Sequence, residues 1–180
     1  MLKNNIFKYA LMFVMLVVLQ VLVLNKISFL NYGVPFAYIY FIIKLPIGYS
    51  RNLTTLLGFL LGFVIDIFCN TPGVNAVATT FIGFICRPVQ NLFFMTDDYE
   101  EQTPSLRILR GAFMKFAILM TLVHHVILIS VESFSYFSIK LVLLRILFST
   151  ILTSILIFAF EGLSLKKKSS WQKTTRRYRL

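Results

Sequence analysis

Leu141-Val142-Leu143-Leu144-Arg145-Ile146-Leu147-Phe148-Ser149-Thr150-Ile151-Leu152-Thr153-Ser154-Ile155-Leu156-Ile157-Phe158-Ala159-Phe160 is the stretch whose reading decides the fold. It is apolar apart from one cation and a few hydroxyls, and it has the length of about 20 residues that carries a helix across a hydrocarbon core. Arg145, Ser149 and Thr153 recur at every fourth position and share one face of that helix. Two further stretches of the same kind, Ile6 to Leu24 and Gly111 to Val131, lie upstream, and Leu53 to Cys69 makes a fourth.

Composition agrees. The chain has 180 residues, of which 58% are hydrophobic and 14% charged, against roughly 25% charged in soluble domains. Its mean hydropathy is +0.80. A bilayer is the expected solvent, and the length suits one compact all-α bundle over residues 1–163 followed by a basic tail over 164–180. The first apolar run has Lys3 and Lys8 ahead of it, like a secretory signal. Asn25-Lys26-Ile27-Ser28 then stands where small residues should mark cleavage, so the run is expected to remain as an anchor.

Two shorter runs, Gly33 to Leu45 and Val74 to Cys86, are long enough for re-entrant segments or tilted helices, with Pro46 and Pro88 as their limits. Because hydrocarbon offers no water to unsatisfied backbone groups, both are predicted to be helices, for about six transmembrane helices in all. The net charge of +11 collects at segment ends and connections, which points to orientation in a membrane and away from nucleic acid. With an even number of crossings, Lys3, Lys8, Lys44, Arg51, Arg107, Arg110, Lys115 and the tail fall on one side, so both termini are expected in the cytoplasm of a multi-pass inner-membrane protein. Dropping both short helices leaves that parity unchanged.

The acidic cluster Asp97-Asp98-Tyr99-Glu100-Glu101 is expected in a cytoplasmic loop. Thr103 before Pro104 has the form of an N-cap followed by a first-turn proline, which predicts one helix over 104–131, roughly 42 Å long. The tail, with Lys166, Lys167, Lys168, Arg176 and Arg177, is too polar to build a core and is expected to be disordered at the membrane surface.

The densest local pattern is Gly58, Gly62 and Asp66, again four residues apart, followed by Asn70-Thr71-Pro72-Gly73. The glycines allow close approach of a second helix, and Ala76, Thr79 and Gly83 offer a row of small residues on the next one, so a tight antiparallel hairpin is predicted. A carboxylate within such a helix costs about 2.5 to 3.5 kcal/mol at mid-membrane and calls for a partner. Asp66 lies one turn from its helix end, and Arg145 falls near the same depth. A buried polar cluster of Asp66, Arg145 and one of His124 and His125 is predicted. The histidines are adjacent, about 100° apart on the helix, and do not both face one small site.

Cys69 and Cys86 lie at different depths and are expected to be unpaired hydrophobes. No metal-ligand spacing, nucleophile motif or phosphate-binding glycine loop occurs, and neither an enzymatic role nor a cofactor is expected. Transport is the rival reading, since Asp66, the histidines and Arg145 could line a small-molecule site.

Gly58, Gly62 and Asp66 with Thr71-Pro72-Gly73-Val74-Asn75-Ala76, and His124-His125 with Glu132-Ser133-Phe134, resemble the rod shape-determining protein MreD family, in the branch found in Bacteroidetes-like bacteria. From Asp66 to Gly73 the chain is one residue shorter than many members. The resemblance implies a non-enzymatic inner-membrane component of the complex that directs cell-wall synthesis during elongation, acting with MreC, with RodA and its penicillin-binding partner, and indirectly with MreB. The family is also similar in architecture to substrate-binding subunits of energy-coupling-factor vitamin transporters. Those subunits carry an alanine-rich stripe on their first helix, where this chain has only Ala10, and a small-molecule ligand is not expected.

Overall fold

A computed structural model describes residues 2–27, 33–94, 102–107, 110–133 and 138–177, with side chains over those that fall within 6–164. It is all-helical, with 82% helix and no strand among the described residues. Among the described residues six α-helices follow in order: α1 (Leu2–Leu22), the single turn α2 (Tyr40–Ile43), α3 (Arg51–Cys69), α4 (Val74–Phe93), α5 (Arg110–Glu132) and α6 (Ile139–Arg177). Four of them, within α1, α3, α5 and α6, are long and apolar enough to cross a membrane.

Neighbouring helices pack in the order α1, α3, α4, α5, α6. The space they surround is filled by the chain itself. Residues 34–36 lie outside regular secondary structure, Ala37–Ile39 makes a 3-10 turn, and α2 adds one α-helical turn. Ala37, Tyr38, Ile39, Ile42 and Ile43 are fully buried, and Leu45 and Ile47 nearly so. All of these but Ala37 share one hydrophobic cluster with Leu16 and Val17 of α1, Leu61 and Ile65 of α3, Ile82 and Cys86 of α4, Phe113, Phe116 and Met120 of α5, and Ile157 of α6.

This narrows the helix predicted over Gly33 to Leu45 to residues 37–43 and leaves 33–36 outside it. The physical reason is that the segment's backbone finds partners without helix: Val34 N–H donates to Ser149 Oγ (3.1 Å), Phe36 N–H to Thr153 Oγ1 (3.0 Å), and Ala37 N–H to Gln20 Oε1 (2.9 Å). Gln20 Nε2 donates in turn to the Pro35 carbonyl at 3.1 Å. Irregular backbone in an apolar surrounding is stable when protein groups satisfy it. The Ser149–Thr153 stripe of α6 supplies two of those groups.

The segment passes from one end of the bundle to the other. Its far end is held where Lys44 Nζ meets Glu161 Oε1 at 2.7 Å and the Pro104 carbonyl at 2.6 Å. Tyr40 donates to Glu161 at 2.6 Å, and Leu106 N–H donates to the same carboxylate at 3.3 Å. Tyr9 of α1 bonds Thr103 at 3.0 Å. The beginning of α1, the Glu161 turn of α6 and residues 102–107 therefore share one end of the bundle, which also carries Lys44, Arg51 and Arg110.

Other boundaries differ from the sequence reading. α3 starts at Arg51 because Ser50 Oγ accepts from Leu53 N–H at 3.3 Å as its N-cap. α4 continues past Pro88 to Phe93; a proline forfeits one backbone bond and is tolerated where neighbours support the helix. Residues 102–105 are not helical and α5 is helical from Arg110, so Thr103 and Pro104 do not open it. Thr103 is engaged with Tyr9 instead. The α6 backbone is helical to Arg177, and lysine, arginine and glutamine are good helix formers. The side chains of Lys166, Lys167, Lys168, Arg176 and Arg177, and the acidic cluster over 97–101, lie outside the described residues.

Candidate functional site

α3 and α4 meet along a line without side chains. A Cβ on Gly62 would lie 2.6 Å from Ala76 Cα, one on Gly58 would lie 3.1 Å from the Thr79 carbonyl carbon, and one on Gly83 would lie 3.0 Å from Thr55 Cα. Each of the three would also meet an oxygen of the facing helix, from Thr79 or Thr54, at under 3.0 Å, closer than real Cβ atoms come. The hairpin is tight because these three positions are glycine, and Thr54 Oγ1 donates across it to the Gly83 carbonyl at 2.8 Å.

The turn at the end of the hairpin is built by Asn70, in the left-handed region at φ 53°, and Gly73 at φ 80°. Asn70 ends α3 with its N–H on the Asp66 carbonyl, and Thr71 N–H reaches the same oxygen at 3.2 Å. Gly73 occupies the N-cap position of α4 and has no side chain to cap it. Asp66 supplies the cap from the neighbouring helix. Its Oδ1 accepts from Asn75 N–H (3.0 Å), Asn75 Nδ2 (2.9 Å) and Thr71 Oγ1 (2.7 Å), while Oδ2 accepts from Ala76 N–H at 2.8 Å. Free N–H groups and the positive dipole end of a helix are the natural surroundings of a carboxylate.

From this cap a hydrogen-bonded chain runs inward. Tyr38 donates to Asn75 Oδ1 at 2.7 Å, and its oxygen lies 3.1 Å from His124 Nε2. A phenol has one hydrogen, so with Asn75 receiving it, His124 Nε2 carries the hydrogen that bonds Tyr38. His125 takes a separate course, with Nδ1 2.7 Å from the Thr121 carbonyl and Nε2 3.4 Å from Thr153 Oγ1. Both rings are fully buried, and their centroids are 5.3 Å apart.

The cluster predicted from sequence is thus rearranged. Asp66 and His124 belong to one network through Asn75 and Tyr38, whereas Arg145 is outside it: its guanidinium bonds Glu132 Oε2 at 2.9 Å on the bundle surface. Glu132 ends α5 and Arg145 lies near the start of α6, and these helices are adjacent. Ser133 is described and buried, while Phe134 lies outside the described residues. Sequence reasoning missed Gln20, Tyr38, Asn75, Lys44 and Glu161 as structural groups. The available signal was a lone polar residue in an apolar run, which when buried must find a partner. Both cysteines are free, and no metal-binding group of side chains occurs among the described residues.

No family model matches the chain, and neither a curated protein nor a solved structure matches it.

Proposed function

We propose that this chain is a multi-pass protein of the bacterial cytoplasmic membrane, with six crossings and both termini in the cytoplasm. It serves there as a non-enzymatic scaffold of the cell-elongation complex, in the role that the resemblance to MreD implies, engaging MreC and, within the same complex, RodA and its penicillin-binding partner. The observation that carries this reading is the filled axis of the bundle. Residues 37–47 occupy the interior that a transported molecule would have to pass or enter, and binding is left to the outer helix faces. α1 offers the most such surface, since 17% of its apolar window is buried against 50% for α5. Clustering of Lys44, Arg51 and Arg110 at the end shared by α1 and α6 supports cytoplasmic termini.

Purification in mild detergent from cells of a rod-shaped bacterium tests the proposal. Co-purification with elongation proteins, and loss of rod shape on depletion, are expected. Retention of a radiolabelled small molecule without those proteins would establish the transport reading instead. Reporters fused to the two termini should both report the cytoplasm, and alkaline carbonate should leave the chain in the vesicles.

A further inference from the structure

The glycine line that draws α3 and α4 together leaves the larger side chains on either side of it splayed apart. They enclose a groove of 840 Å³ on the outer flank of the hairpin. Phe59 and Phe63 form one wall, stacked with centroids 5.6 Å apart and planes 15° from parallel. Val77, Phe81 and Phe84 form the other. From Thr55 to Asn70 the groove follows α3 for about 22 Å, and its last turn is lined by Asp66, Asn70 and Thr71. It is an apolar channel with a carboxylate at one end.

Size and charge indicate the occupant. Small-ligand sites run from about 300 to 1,000 Å³, a range that includes this groove. Asp66 has four hydrogen bonds and no ion-pair partner among the described residues. Three of those bonds fall on Oδ1 and one on Oδ2, so Oδ2 is the oxygen with acceptor capacity left. Arg145, the cation at comparable depth, is committed to Glu132. Asp66 stands about 6 Å, one helical turn, below the end of α3, just inside the hydrocarbon edge and next to the headgroup layer in the membrane reading above.

We infer that this groove holds one aminophospholipid, with an acyl chain between the Phe59–Phe63 and Val77–Phe84 walls and the headgroup ammonium on Asp66 Oδ2. An anionic lipid without an ammonium group fills the same walls but brings a negative charge to the carboxylate. The inference rests on the membrane reading and not on the scaffold role, because it is read on the purified chain alone.

The test uses the full chain reconstituted in vesicles of phosphatidylethanolamine and phosphatidylglycerol in equal parts, re-extracted in mild detergent and weighed by native mass spectrometry. One retained phosphatidylethanolamine per chain is expected, favoured over phosphatidylglycerol by about tenfold, the scale of one charge-assisted hydrogen bond. Val77→Trp places an indole in the groove from an exposed position outside the hydrogen-bond network, and it should abolish retention while leaving the unfolding temperature unchanged. A diazirine on the acyl chain should crosslink to Phe63 or Val77. Asp66→Asn, where it folds, should keep a lipid but lose the headgroup preference. Equal retention of the two lipids by the unaltered chain overturns the inference, as does lipid still held by Val77→Trp, or a protein helix crosslinked to the groove in place of lipid. Loss of partner co-purification with lipid retention intact removes the scaffold role alone.

Discussion

Asp66 accepts the backbone N–H of Ala76 at 2.8 Å, so a carboxylate on α3 caps the first turn of α4. Replacing it separates charge from geometry. Asp66→Asn keeps one acceptor oxygen but turns an amide toward Ala76 N–H, and should lower stability by about 1–2 kcal/mol, the scale of a lost N-cap. Asp66→Ala leaves several buried donors unpaired and should cost more, about 3 kcal/mol. Thermal or denaturant unfolding in detergent orders the two, and equal losses would show that the charge and not the cap is what matters.

Gly62→Ala should destabilise the hairpin by about 1–3 kcal/mol through overpacking against Ala76 and Thr79. Gly111 in α5 has nothing within 4 Å of an added Cβ, so Gly111→Ala should be neutral or stabilise by up to about 1 kcal/mol. Unfolding temperatures of the two variants, read side by side, distinguish close approach from helix propensity.

Lys44 and Glu161 form an ion pair whose side chains are 14% and 3% exposed. Lys44→Met or Glu161→Gln alone strands the other member and should cost about 3–5 kcal/mol. The double variant should cost less than the sum. An additive double-mutant cycle would mean that Tyr40, Pro104 and Leu106, rather than the pairing, hold this end together.

Arg145→Ala should cost less than about 1 kcal/mol, because its partner Glu132 is exposed. Its effect should add to that of Asp66→Asn within about 0.5 kcal/mol, as for independent sites. A larger coupling would reinstate the pairing of Asp66 with Arg145 that their depths suggest.

Tyr38→Phe removes the link between Asn75 and His124 and leaves Asn75 Oδ1 and His124 Nε2 unpaired in the core. A loss of about 1–3 kcal/mol is expected for groups so stranded. An unchanged unfolding curve would mean that the two groups have other partners.

The apolar runs announced the long helices because helix length and apolar composition are local properties. The sparing of side-chain volume at Gly58 and Gly62 was equally legible, since residues four apart share a face wherever the helix goes. Arg145 shows the limit of that reasoning. Its expected depth matched that of Asp66, but depth leaves rotation about the bundle axis open, and rotation gave it Glu132.

What the sequence by itself determined, then, is which stretches can be long apolar helices, where they turn, and which faces carry glycine or polar groups: all consequences of spacing along one chain. Only the tertiary structure decided that residues 33–47 fill the bundle axis with helix confined to 37–43. That outcome depends on Ser149, Thr153 and Gln20 meeting backbone groups more than a dozen residues away. A hydrogen bond between distant residues is fixed by how the helices pack, and no local pattern of residues encodes it.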